Sequence, residues 1–183
     1  MEFLPDRFYH VFNQGNNRQK VFENGRNDYH LFLWQARKHI LPHVDILAYC
    51  LMPNHFHFMI KTDQRCLGMR MAGKWEINEV CFGIKMLLST YTLITNKVRG
   101  RTGSLFRQGT HARCLKHDPY SVNLDKMAKN DLTNVFRYIH ENPVEANLVK
   151  NPADWPYSSY RDYAGIRNGT LVNKKLALEF GLG

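Results

Sequence analysis

The spacing of apolar residues changes several times along the chain, and each change marks an element. The opening run RFYHVFNQG is aromatic and β-branched and stops at Gly15, which predicts a strand. NNRQKVFENG is polar and turn-rich. From Asn27 the interval becomes helical, with Tyr29, Phe32, Leu33, Ala36 and Ile40 on one stripe, Asn27 or Asp28 available as N-cap, and Pro42 as terminator. HVDILAYCLM returns to a β-prone pattern. After a short Pro53-Asn54 turn, HFHFMIKT supplies a partner strand, so the two runs predict a hairpin. Asp63 to Asn78 shows no clear periodicity and reads as an exposed loop or irregular insertion. Ile84, Leu87, Leu88, Tyr91, Ile94 and Val98 then mark a second amphipathic helix, closed by Gly100. GSLFRQGTHARCLK is extended and basic, and a third helix is expected from about Asp131, with Leu132, Val135, Phe136 and Ile139 as its apolar face.

The order strand, helix, strand, strand, helix, strand predicts an α+β fold of ferredoxin-like (RRM-like) type. Its antiparallel sheet would carry helices on one face, with a C-terminal helix and tail added. The second face would stay open or take a further element, and an open face with basic and aromatic side chains suits single-stranded nucleic acid. Composition narrows this. At 183 residues, 44% hydrophobic and 13% aromatic, the chain is expected to form one globular domain over 1–183, with a C-terminal extension from about 150. No apolar run approaches the roughly 20 residues that span a bilayer, and MEFLPDRFYH has no leader pattern, so the expected location is the cytoplasm, without a membrane partner. The four cysteines lack any C-x-x-C pair and read as reduced thiols. The formal charge of +9 favours a polyanionic partner.

Candidate chemistry concentrates in MPNHFHFMI. Side chains alternate across a strand, so His55, His57 and Met59 share one face and Phe56, Phe58 and Ile60 the other. The phenylalanine face is the core. The two imidazoles would then stand about 7 Å apart at the backbone, close enough to ligate one ion or simply to occupy the solvent side. A metal site needs further ligands, and the third helix offers candidates. Tyr138 and Asn142 are four residues apart and share a helix side if the helix continues that far. Tyr138 lies at the flank of the apolar stripe, so packing can hold it while its hydroxyl reaches outward; an amphipathic boundary tyrosine would look the same. Asn142 precedes Pro143, so it can equally be the N-cap of a new helix beginning at the proline.

Several ordered pieces together, YHVFNQGNNRQKVF, AYCLMPNHFHFMI, GSLFRQGTHARCL, YIHENPVEANLV and DWPYSSY, cover most of residues 8–163. In them the sequence resembles the single-tyrosine HUH transposases, within these the REP-associated branch related to small insertion-sequence transposases. That resemblance implies that His55 and His57 are the paired metal ligands flanking the hydrophobic Phe56, that Tyr138 is the nucleophile and that Asn142 completes the metal site. It implies magnesium or manganese as the ion, single-stranded DNA with a hairpin or palindromic repeat as substrate, and a reversible 5′-phosphotyrosine linkage with a free 3′-hydroxyl. The Asp63–Asn78 segment and the long Lys116–Asn130 connection depart from the pattern, which leaves target sequence and monomer versus homodimer open.

The chemistry is consistent with these residue types. A divalent ion polarises a phosphodiester, and a phenol, with a reference pKa of about 10, leaves more readily than an alkoxide, so cleavage can be reversed. Lys61, Arg101, Arg107, Arg113 and Lys116 are the expected phosphate contacts, although each also suits a solvated basic edge. Trp155, Tyr157 and Tyr160 either stack on bases or pin the tail to the core. Two other functions remain compatible: a non-catalytic reader of single-stranded nucleic acid, and an HUH replication initiator, for which the chain has little room.

Overall fold

The structure is a computed structural model that describes residues 2–115 and 132–183. Six strands and five helices are placed there: β1 (Phe8–Gln14), α1 (Arg26–His39), β2 (Asp45–Met52), β3 (His55–Lys61), β4 (Met69–Ala72), β5 (Trp75–Asn78), α2 (Glu79–Arg99), β6 (His111–Leu115), α3 (Leu132–Glu145), α4 (Tyr160–Tyr163) and α5 (Lys174–Glu179). The main sheet is antiparallel throughout, in the order β2-β3-β1-β6. That is the ferredoxin-like order anticipated from the element sequence. Lys116, Asp131 and the connection between them lie outside the described residues.

One face of the sheet carries Tyr9, Val11, Tyr49, Leu51, Phe56, Phe58 and Ile60, which pack with Phe32, Ala36, Ile84, Leu87 and Tyr91 of α1 and α2. Gly83 permits the close crossing of these helices, because a Cβ there would collide with the carbonyl oxygen of His39. Asp28 ties the start of α1 to the end of α2: its carboxylate accepts from the N–H groups of Glu23 and Asn24, both at 2.8 Å, and pairs with Arg99 at 2.5 Å.

The opposite face is covered, where the sequence allowed it to be open. Leu132, Val135, Phe136 and Ile139 of α3 pack on Leu47, Ala48, Cys50, Met52 and Met59, with Ala177 and Leu182 from the C-terminus. Each fully buried aliphatic or aromatic side chain contributes on the order of 1.5–3 kcal/mol, which explains why an amphipathic third helix settles on an apolar patch of sheet. The tail then runs along β2. Leu51 N–H donates to the Tyr157 carbonyl at 3.0 Å, Ser159 N–H donates to the Tyr49 carbonyl at 2.9 Å, and the Trp155 indole donates to the Leu51 carbonyl at 3.0 Å. Tyr157 stacks on Tyr29 with ring centroids 3.5 Å apart. These two tail aromatics hold the tail to the body.

Two further boundaries differ from the sequence pattern. Residues 63–78 are a short 3-10 turn (Gln64–Leu67) followed by the β4–β5 hairpin, not an irregular loop. Four-residue strands give too few alternations to register as a pattern, and Gly73, at φ +70°, makes the turn. The hairpin delivers Asn78, whose side chain accepts from Val80 N–H at 2.9 Å, so α2 starts five residues before its first predicted apolar position. The segment from Arg101 to Thr110 is irregular, and only His111–Leu115 is a strand.

Candidate active site

The site lies between the sheet and α3, where β1, β3 and α3 meet. Pairing places Phe12 opposite His57 and Gln14 opposite His55 on β1 and β3, while β6 sets Arg113 opposite His10 and His111 opposite Phe12. His10, Phe12, His55, His57, His111 and Arg113 therefore point to one side of the sheet. α3 runs unbroken through Pro143 to Glu145, so Asn142 is a helical residue one turn beyond Tyr138 and not the cap of a new helix. The helix lays both residues over the histidines.

Tyr138 is 39% exposed, whereas its neighbours Phe136 and Ile139 are buried. Its ring centroid lies 5.5 Å from that of His57 and 6.1 Å from that of His10, edge-on to both. The His55 and His57 rings are 4.9 Å apart and nearly perpendicular. His55 Nδ1 lies 2.6 Å from Asn54 Oδ1, which can only accept, so Nδ1 carries the hydrogen and Nε2 keeps the lone pair. The Asn142 side chain faces the same imidazole and favours its charged form. His57 is only 5% exposed; its Nδ1 lies 2.9 Å from His10 Nε2, and its Nε2 is buried without a partner.

Burial sets the electrostatics. Desolvation, joined by the nearby Arg113 charge, pushes His10 down to about 4. Desolvation likewise holds His57 well below the usual imidazole range, with His10 and His55 adding to it, and lowers His55 against the opposing influence of Asn142, which favours the charged ring. At neutral pH the cluster is thus a set of neutral nitrogen and amide donors. Among the described residues no three His, Cys, Asp or Glu side chains converge as a metal cluster, so any ion here would draw on the two histidines and an amide oxygen. The unpartnered Nε2 of His57 fits such a role, because a buried polar atom with no partner is costly unless something occupies it.

The five basic residues separate. Arg113 lies on the histidine side of the sheet, one strand over from His10. Lys61 is on the same side but at the far end of β3, where it pairs with Asp6 at 3.3 Å and lies over the rings of Phe8 and Phe180. Arg101 follows the C-terminal cap of α2. Arg107 lines an open groove of about 1380 Å³ with Phe3, Met69, Leu88 and Leu93, and Tyr138, His55, His57 and Asn142 do not line that groove. Lys116 is outside the described residues. His10 went unremarked in the sequence because a polar residue between Tyr9 and Val11 is ordinary for a strand; only the register of β1 against β3 gives it meaning.

An antiparallel α+β sheet with a histidine pair under a tyrosine-bearing helix defines the class of arrangement. No protein-family model matches the chain, and no curated protein matches it in sequence. Among solved structures it is similar to a REP-associated tyrosine transposase bound to a REP hairpin, with a TM-score of 0.57 and 15% identity over 90% of this chain and 83% of that one. That likeness is one of fold. No described helix is long and apolar enough to cross a membrane.

Proposed function

We propose that this chain is a metal-dependent, single-tyrosine HUH endonuclease and strand transferase acting on single-stranded, hairpin-containing DNA. The observation that carries the proposal is the meeting of Tyr138, His55, His57 and Asn142, from two distant segments, around a buried and unpartnered histidine nitrogen. The fold shared with a transposase whose structure holds a hairpin adds support.

In this reading His55, His57 and Asn142 hold a divalent ion, which supplies polarisation of the scissile phosphate and relief of its charge. Neutral imidazole and amide donors suit manganese better than magnesium in a test tube. The Tyr138 oxygen attacks phosphorus as the P–O3′ bond breaks; the phenolic proton is lost, and the departing 3′-oxygen takes one up. One phosphodiester is exchanged for another, so a 3′-hydroxyl can later displace the tyrosine without an energy-rich cofactor. The exposed ring edge of Tyr138 leaves room for a DNA strand, while the buried Phe136 and Ile139 fix the helix that carries it.

The test is denaturing electrophoresis of protein mixed with hairpin-bearing single-stranded DNA and manganese. A covalent adduct that Tyr138→Phe abolishes is the expected result. An adduct that survives in Tyr138→Phe, or its absence with well-folded protein over a panel of hairpins, refutes the assignment and favours a non-catalytic nucleic-acid reader. Tyr138→Phe should leave stability within about 0.5 kcal/mol, as expected for an exposed position.

A further inference from the structure

We propose that His10 is a positioning residue that fixes the tautomer of His57, holding the His57 Nε2 lone pair toward the metal position. The inference rests on the proposed metal-dependent reading and names a residue that the HUH pattern does not contain.

The argument begins from one contact and one orphan. His10 Nε2 and His57 Nδ1 are 2.9 Å apart, both residues being buried, and the two ring planes lie 27° apart with centroids separated by 5.0 Å, as for rings meeting edge to edge. Two neutral imidazoles at that distance share one hydrogen, so there are two arrangements. If His10 donates, His57 carries its own hydrogen on Nε2, and a buried N–H is left without an acceptor. If His57 Nδ1 donates to His10, Nε2 holds a bare lone pair directed away from His10. Orphaned buried N–H groups are rarer than under-used acceptors, and the lone pair has a use whenever a cation arrives. The second arrangement is therefore the one the geometry favours.

His10 is poorly placed to be a ligand itself. It meets His57 through the ring nitrogen opposite the orphan, and no three histidine or acidic side chains converge among the described residues. It stands behind His57 as an acceptor stands behind a metal-bound imidazole, fixing ring orientation and tautomer. His55 has its own counterpart in Asn54 Oδ1, at 2.6 Å from Nδ1. Both histidines thus present Nε2 and spend Nδ1 on a hydrogen-bond acceptor. The strand pairing explains the reach: His10 is opposite Met59 on β3, two residues past His57, which makes the two histidines diagonal neighbours on one face.

The experiment uses the full chain without DNA. Imidazole nitrogen NMR of the metal-free protein at pH 7.5 reads the tautomer, and manganese titration by calorimetry reads affinity, each for wild type, His10→Phe and His10→Gln, with urea denaturation as the control for folding. Wild-type His57 is expected to carry its hydrogen on Nδ1. His10→Phe should shift it toward Nε2 and weaken manganese binding about 10–100-fold, the usual effect of removing such a partner. His10→Gln, whose amide oxygen can still accept, should recover most of both. A wild-type His57 protonated on Nε2 overturns the proposal, as does a His10→Phe protein that keeps the Nδ1 hydrogen or binds manganese like wild type. If the tautomer responds as expected but wild type binds no manganese, the metal-dependent reading fails separately and His10 loses its role toward an ion.

Discussion

Replacing Ser159 with alanine removes one oxygen atom on which two elements converge. Ser159 Oγ accepts from the Tyr49 backbone N–H at 2.8 Å, lies 3.1 Å from the Tyr49 carbonyl and contacts His140 Nε2 at 2.8 Å, all in the buried seam between β2, α3 and the tail. A hydroxyl offers one hydrogen and two lone pairs, so these contacts use its full capacity. Alanine leaves the Tyr49 N–H and the His140 nitrogen without partners in a place water does not reach. At about 1–3 kcal/mol for each buried group left unsatisfied, the expected loss is about 2–6 kcal/mol. Ser158→Ala is the matched control: its oxygen accepts from Tyr160 N–H at 3.1 Å and reaches the Tyr49 carbonyl only at 3.4 Å, so about 1 kcal/mol is expected. Urea unfolding with unchanged m-values measures both. Because His140 lies on α3 between Tyr138 and Asn142, Ser159→Ala should also slow adduct formation under conditions where the protein stays folded. A loss below about 1 kcal/mol, or one no larger than that of Ser158→Ala, refutes the claim that this oxygen anchors the helix.

Three other outcomes follow from the same geometry. Asn142→Ala should weaken manganese binding and adduct formation by at least 10-fold, while Asn142→Asp, which keeps an oxygen donor, should retain manganese binding; calorimetry and the adduct assay check this. Stability should fall with acid, because burial pushes His140 down to about 4 despite the opposing Asp162 charge, with Ser159, Phe136, Tyr160 and Tyr163 as its other neighbours. The unfolded chain takes up this proton near pH 6.5 and the folded one only near 4. The contribution is therefore complete above 6.5 and shrinks on descending, by about 3 kcal/mol at pH 4. His10 behaves in the same sense, so His140→Gln should flatten the pH profile of urea unfolding without abolishing it. Arg113→Ala should lower single-stranded DNA affinity and reduce the salt slope by about 0.7–1, whereas Arg107→Ala, on the groove side, should leave both nearly unchanged in fluorescence-anisotropy titrations.

The strand alternation in HFHFMI made the two faces of β3 readable without a structure, because Phe56, Phe58 and Ile60 could only be core. The element order likewise fixed the sheet type. Other features depended on long-range packing. That Asn142 stays helical was hidden by Pro143, since local preference at a residue before proline points away from helix and only the docking of α3 on the sheet overrides it. The burial of His57 required α3 to cover a face that β-strand periodicity leaves undecided. The pairing of Lys61 with Asp6, a residue at φ +54°, joins positions 55 apart in the chain. His10 is the clearest case, as its partner is 47 residues away and its own neighbours give no sign of it.

The strip from Trp155 to Ser159 occupies the hydrogen-bonding edge of β2, which seals one margin of the sheet within the chain itself. Another copy therefore cannot add a strand there. Among the described residues the remaining margin of the main sheet is β6, short and bearing Arg113, so antiparallel growth through it would bring the Arg113 charges of two copies together. Edge-to-edge polymerisation of the main sheet is thus opposed on both margins.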